Sequence, residues 1–109
     1  MNTQNYIQNL TTTTRKTIHV ALRQTLAYHL YKNKIPCSLI GQCLHMTKRN
    51  IYYSIYKTRD KLEINDYITK QAYNETISHA FHIQPVTVTE GMITKHTGYK
   101  LYVDNVICE

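Results

Sequence analysis

The chain has 109 residues, 42% of them hydrophobic, and carries 13 Lys and Arg against seven Asp and Glu, a net charge of +6. This length is enough for one domain with a modest core, which excludes a multidomain enzyme. No apolar run approaches the ~20 residues of a membrane span, and the first residues lack the pattern of a secretion signal. Three cysteines without close spacing indicate a reduced, cytosolic protein rather than a disulfide framework.

The basic residues are concentrated in the first part of the chain. Residues 1–62 contain ten Lys and Arg and one acid, Asp60, for a net charge of +9, whereas residues 63–109 have a net charge of −3. This asymmetry predicts a polyanionic partner for the first part. Charge alone leaves open the alternative of a generic basic surface on a soluble protein.

Apolar residues spaced three and four apart predict four helices. The predicted helices span residues 14–33, 38–45, 48–62 and 66–82. Residues that can accept a hydrogen bond from the first turn precede each helix. These candidate caps are Thr13 or Thr14, Ser38, Thr47, and Asn65 or Asp66.

The pattern changes after Pro85, where residues 86–89 alternate between apolar and polar. Gly91 marks a turn, and two further short apolar stretches flank a segment that contains Gly98. Alternation interrupted by glycine predicts a small β-hairpin with a glycine-containing loop.

These elements predict a mainly α fold with a small β appendage. Residues 1–13 are polar and lack periodicity, so we expect a flexible tail there. Residues 14–83 are expected to form a helical core of about four helices, and residues 84–109 a β-hairpin attached to the same domain. No segment is long enough to serve as a linker between two domains.

Residues 37–56 have the spacing of a helix-turn-helix, in which two helices pack at a steep angle across a tight turn. Gly41 provides a small residue where the helices approach each other. His45 stands in the turn where many such motifs have a glycine with positive φ. The residues expected to face inward are Ile40, Leu44, Met46, Ile51 and Ile55.

The inward set predicts which residues of the second helix face outward. These are Thr47, Lys48, Arg49, Asn50, Tyr52, Tyr53 and Tyr56. Arg can bind guanine and Asn adenine through paired hydrogen bonds, while Tyr and Thr can reach phosphates or thymine methyl groups. Lys57 is expected to contact phosphates. The alternative is a helical hairpin whose tyrosines only pack or lie at the surface.

Three stretches, residues 23–30, 38–41 and 51–57, resemble the C-terminal DNA-binding domain of the bacterial replication initiator DnaA, a TrpR-like helix-turn-helix. The resemblance covers roughly residues 14–62. It implies the helix-turn-helix fold and placement of the second helix in the major groove. It also implies that Arg23, which matches the Arg of the family's Arg-Gln pair, contacts the minor groove or a phosphate.

The family's Asp-His-Thr-Thr signature falls on Thr47, Lys48, Arg49 and Asn50, which differ from it. The resemblance therefore does not imply the family's DNA sequence. The ATPase module of the initiator has no counterpart here, so origin melting by that mechanism is not implied.

Metal binding and catalysis have weak signals. His79 and His82 lie three apart on the predicted fourth helix and could share a face, but zinc needs three or four ligands. We expect no metal and no other cofactor. No phosphate-binding glycine loop, nucleophile elbow or carboxylate pair is visible, so an enzyme is not expected.

The sequence thus predicts a sequence-specific double-stranded DNA-binding protein, either a transcriptional regulator or a replication accessory factor. Its many Asn, Ile, Lys and Tyr residues suit an AT-rich bacterial, plasmid or phage genome. The alternative is a protein–protein adaptor or virion-associated assembly protein. In that case the C-terminal hairpin would bind a second copy or another protein. No membrane partner is expected.

Overall fold

The computed structural model describes residues 1–12 and 16–108. This part of the chain is mainly helical, with a small antiparallel sheet, as the sequence predicts. The elements are α1 (Thr3–Thr11), α2 (Thr17–Lys32), α3 (Cys37–Leu44), α4 (Lys48–Glu63), α5 (Tyr67–Ile77), β1 (Phe81–Glu90), β2 (Ile93–Val103) and β3 (Val106–Cys108). None of the helices in the described ranges is long and apolar enough to cross a membrane.

Helix α2 is the centre of the fold, since α1, α3, α4 and α5 all pack against it. Its buried side chains meet buried residues of every neighbouring helix, and β2 closes the core from the side of α3. The core is formed by Tyr6, Leu10, Ala21, Leu22, Leu26, Ala27, Leu30, Ile40, Ile51, Ile55, Ala72, Leu101 and Val103.

Helix α1 shows that the expected flexible tail is wrong over residues 3–11. The Asn2 side chain accepts a hydrogen bond from the Asn5 N–H at 2.8 Å and caps the helix. Tyr6 and Leu10, one turn apart, are buried in the core. Their i, i+4 spacing was a helical signal, but most of the residues around them are polar.

A chain of buried hydroxyl groups connects α1 to the helices behind it. The Tyr6 hydroxyl lies 3.0 Å from the Thr76 hydroxyl, which lies 3.2 Å from that of Thr25. The Thr25 hydroxyl donates to the Leu22 carbonyl. Polar atoms buried together in this way satisfy one another, so Tyr6 can enter the core without an unpaired hydroxyl.

The caps of the remaining helices agree with the sequence in part. Thr47 and Asp66 cap α4 and α5, as predicted. Thr13 and Thr14, the candidates for α2, lie outside the described residues. The prediction for α3 is wrong by one residue, because the helix begins at Cys37 with Pro36 at the cap position, so Ser38 lies inside the first turn.

Helix α5 ends at Ile77, five residues before the predicted end. Phe81 begins β1 and pairs with Val103 of β2. The last residues that local periodicity assigned to a helix therefore belong to the sheet. His79 therefore follows the helix, while His82 lies on a strand. The two histidines do not share a helical face, which removes the premise of the metal alternative.

The three strands form a meander in the order β1-β2-β3. The predicted turn at Gly91 is confirmed, with φ of +60°. The expected loop at Gly98 is wrong, because this residue lies within β2, opposite Val86, next to a bulge. Pro85 is accommodated inside β1 because β1 is an edge strand, where a missing N–H breaks no ladder.

Asp104 and Asn105 form the two-residue turn between β2 and β3, with φ of +50° and +68°. Both residue types tolerate the left-handed conformation that such hairpin turns require. The Asp104 carboxylate accepts hydrogen bonds from the Thr3 hydroxyl at 2.7 Å, the Ala80 N–H at 2.8 Å and the His79 ring. It thereby connects α1, the end of α5 and the sheet.

These hydrogen bonds lower the pKa of Asp104 from its usual 3.8 to about 2, with the His79 bond contributing most. A carboxyl group whose pKa is depressed on folding contributes stability above its unfolded pKa. We therefore expect this contribution to be lost as the pH falls from about 4 towards about 2. In thermal unfolding followed over that interval, Asp104→Asn should show a weaker pH dependence than the wild type. Parallel curves would contradict the role of the carboxylate.

Candidate nucleic-acid interface

The α3–α4 pair is joined by a turn that only three residues span. His45 ends α3 in the left-handed conformation, with φ of +54°, which confirms the positive φ expected at this position. The Met46 N–H then donates to the Gly41 carbonyl at 3.0 Å. A Cβ atom on Gly41 would lie 2.7 Å from the Met46 carbonyl oxygen. The backbones of α3 and the turn are therefore in close contact at Gly41, where a small residue was predicted.

Helix α4 begins directly after this turn. The Thr47 hydroxyl accepts a hydrogen bond from the Asn50 N–H at 3.2 Å, which satisfies one of the free donors of the first turn. Ile51 and Ile55 are buried, as predicted, together with Ser54 and Thr58. One face of α4 is therefore fixed against the core, and this sets the direction of every other side chain on the helix.

The predicted outward residues of α4 are all exposed. They are Thr47, Lys48, Arg49, Asn50, Tyr52, Tyr53, Tyr56 and Lys57. Exposed fractions of 40%, 56% and 53% for Tyr52, Tyr53 and Tyr56 are high for aromatic side chains. Aromatic rings exposed together on one helix are more typical of a contact surface than of a solvent-facing side.

Cations and rings alternate along this face. The Lys48 Nζ lies 6.0 Å from the centroid of the Tyr52 ring, and the Lys57 Nζ lies 5.9 Å from that of Tyr53. The Arg59 guanidinium lies 5.1 Å from the Tyr56 ring. Arg59 was not among the predicted site residues, although its i, i+3 spacing from Tyr56 could have placed it on the same face.

Most of the positive charge of this face is not neutralised within residues 1–12 and 16–108. Arg59 pairs with Asp60 at 3.4 Å, but Lys48, Arg49 and Lys57 have no carboxylate within 4 Å in those ranges. The first turn of α4 holds no acidic residue. The positive end of the helix dipole and two basic side chains therefore occupy the same end of the helix.

Tyr52 connects the exposed face to the start of α3. The neighbouring Cys37 thiol raises the pKa of the Tyr52 hydroxyl. The two residues lie on different helices of the pair and line the same groove, so Tyr52 stands at the edge of α4 beside the α2–α3 connection.

Arg23, the residue assigned by the resemblance alone, lies apart from the α4 face. It is half-buried on α2, and its guanidinium donates to the Thr12 carbonyl at 2.6 Å. It lines a pocket of about 340 Å³ together with His45, on the side of the α3–α4 turn. The structure thus brings Arg23 near the α3–α4 turn but not onto the exposed face of α4.

Comparisons of this chain with protein-family models, curated protein sequences and solved structures found no match.

Proposed function

We propose that this protein binds double-stranded DNA sequence-specifically, with α3 and α4 as a helix-turn-helix and α4 in the major groove. The observation that carries the proposal is the exposed face of α4. It combines unneutralised cations, an amide and three tyrosines on a helix whose opposite face is locked in the core. A rigid helix that presents such side chains suits the width of the major groove.

The residues at the start of α4 divide into two roles. Arg49 and Asn50 have the side chains that make paired hydrogen bonds to guanine and adenine, so they are assigned to base edges. Lys48 and Lys57, at the two ends of the row, are assigned to phosphates, which fix the position of the helix without reading sequence. By occupying its sites, the protein would act as a transcriptional regulator or as a replication accessory factor.

The exposed face of α4 differs from a generic basic surface because its charges are clustered with groups that can read bases. A generic surface carries lysines and acids intermixed, whereas the only acid between residues 47 and 60 is Asp60. The asparagine and the tyrosines stand between the cations on the same exposed side. This arrangement supports base reading in addition to electrostatic attraction.

The salt dependence of duplex binding tests the proposal. About four to six phosphate contacts give a log–log slope of about −4 to −5, so affinity should fall roughly 250- to 1,000-fold between ~50 mM and ~200 mM salt. Fluorescence anisotropy with a labelled random duplex measures this slope. The double variant Lys48→Ala/Lys57→Ala should reduce the slope by about two.

Lys70→Ala is the matched control, because Lys70 is an exposed lysine on α5, outside the α4 row. It should leave the slope unchanged. Absence of duplex binding at ~50 mM salt would overturn the proposal. If Lys70→Ala reduced the slope as much as the α4 variant, duplex binding would be non-specific electrostatic attraction.

A second candidate function, assembly with a protein partner, is favoured by the hairpin. Met92 and Ile93 at its tip are exposed, and β1 is an open edge strand. An exposed edge with an apolar tip can pair with another chain. Concentration-dependent oligomers that Ile93→Lys abolishes, in a protein that binds no duplex, would favour this second function.

A further inference from the structure

A groove of about 450 Å³ lies beside the α4 face, between the α2–α3 connection and the beginning of α4. Its size falls in the range of roughly 300–1,000 Å³ that is common for pockets binding small molecules. The residues that give it chemistry are Tyr31, Lys34, Cys37, Ser38, Lys48 and Tyr52. Only Lys48 and Tyr52 belong to α4, so the groove extends the exposed row onto two further elements.

The groove has two aromatic walls that do not touch each other. Tyr31 at the end of α2 is 46% exposed, and Tyr52 is 40% exposed. No ring contact joins the two within residues 1–12 and 16–108, although both line the same space. Tyr52 lines the groove from α4, whereas Tyr31 lines it from the end of α2. Exposed aromatic rings that line one groove offer a stacking surface to a flat base.

Donors for a phosphate lie around the same space. Lys34 and Lys48 line the groove, and neither has a carboxylate within 4 Å among the residues that the structure describes. The first turn of α3 begins in the groove without a side-chain cap in that part of the chain, and Ser38 adds a hydroxyl group there. Lysines, free N–H groups and a hydroxyl are the groups that bind phosphate oxygens.

Lys34 has a backbone conformation that lysine rarely adopts. Lys34 has φ of +66°, a left-handed conformation at the end of α2 where glycine or asparagine is favoured. A lysine at such a position costs conformational energy, which is a common feature of binding sites. The same residue brings a cation to the groove from the α2–α3 connection.

We propose that this groove binds an unpaired nucleotide, with its base stacked on Tyr31 and Tyr52 and its phosphate held by Lys34 and Lys48. The inference rests on the proposed DNA binding by α4. Since Lys48 and Tyr52 belong to both surfaces, a strand that leaves the duplex on α4 enters the groove directly. The preferred ligand is therefore a duplex with a single-stranded extension, as at a fork or a gap.

The test compares three probes: a blunt duplex, the same duplex with a five-thymidine extension on one strand, and the free thymidine strand. We expect the extension to raise the affinity of the wild type about tenfold, the effect of one or two stacked bases. Extensions at the 5′ and 3′ ends are tested separately, since the groove lies on one side of α4 and should favour one polarity.

Variants of Tyr31 test binding in the groove separately from duplex binding by α4. Tyr31→Ala should abolish the tenfold gain and leave the affinity for blunt duplex within about twofold, because Tyr31 is not on α4. Tyr31→Phe keeps the ring and should keep the gain. Lys34→Gly should reduce the gain while raising the thermal stability, since glycine relieves the left-handed backbone.

Photocrosslinking measures independently where the unpaired nucleotide binds. A 5-iodouracil at the first unpaired position should crosslink to Tyr31 or Tyr52, identified by mass spectrometry. Equal affinity for blunt and extended duplexes, a gain that survives Tyr31→Ala, or crosslinks mapped elsewhere would each overturn the groove proposal and leave duplex binding by α4 intact. Absence of binding to every duplex would overturn both proposals.

Discussion

Arg49→Ala and Asn50→Ala are each expected to lose about 1–3 kcal/mol of discrimination between the preferred DNA site and a site altered at one base pair. Both side chains are exposed on the first turn of α4, next to the Thr47 cap that fixes the direction of the helix. Each can form two hydrogen bonds to one base edge, and alanine removes both. The expected loss corresponds to a factor of roughly 5 to 150 in relative affinity.

The measurement begins with selection of bound duplexes from a random pool, followed by titration of a panel of single-base variants. Lys57→Ala is the control, since a lost phosphate contact should weaken every duplex in the panel by a similar factor. The thermal stabilities of all three variants should stay near that of the wild type, because the three side chains are exposed. Wild-type preference in both the Arg49 and Asn50 variants would mean that another element reads the sequence.

Gly41→Ala is expected to produce the largest loss of stability, about 2–3 kcal/mol, at the upper end of the range for overpacking. The added methyl group would lie 2.7 Å from the carbonyl oxygen of Met46. A backbone atom cannot rotate away as a side chain can, so α3 and α4 would have to separate. The melting temperature should fall by roughly 10 °C, and DNA affinity should fall with it as the start of α4 moves.

His45→Gly provides the matched substitution in the same turn. His45 holds φ of +54° in a conformation that glycine adopts without steric conflict. This variant should be as stable as the wild type or more stable, by up to about 1 kcal/mol. Thermal unfolding distinguishes the two substitutions, and a Gly41→Ala protein as stable as the wild type would contradict the close approach of the two helices.

The region around the turn was predictable from the sequence because its determinants are local. Pro36 ends the preceding segment, Thr47 caps the following helix, and Ile51 and Ile55 are one turn apart. A helix has a single period, so once its buried positions are known its exposed ones follow. This is why the residues proposed to read DNA could be named from the sequence.

Other parts of the fold depend on contacts distant in the sequence. Tyr6 can be buried because its hydroxyl is hydrogen-bonded to Thr76, 70 residues away, and local polarity gave no indication of this partner. Phe81 leaves the helical pattern because it pairs with Val103 on β2. The energy of these contacts comes from burial and strand pairing, which local propensity does not include.

The charge asymmetry and the exposed face of α4 could be derived without a structure, since both follow from composition and a helical period. Which other residues stand beside that face depends on how the helices pack. Tyr31 and Lys34 enter the groove because α2 packs against α4 and the chain turns back at Lys34. A groove between elements is defined by their packing, and no pattern along the chain carries that information.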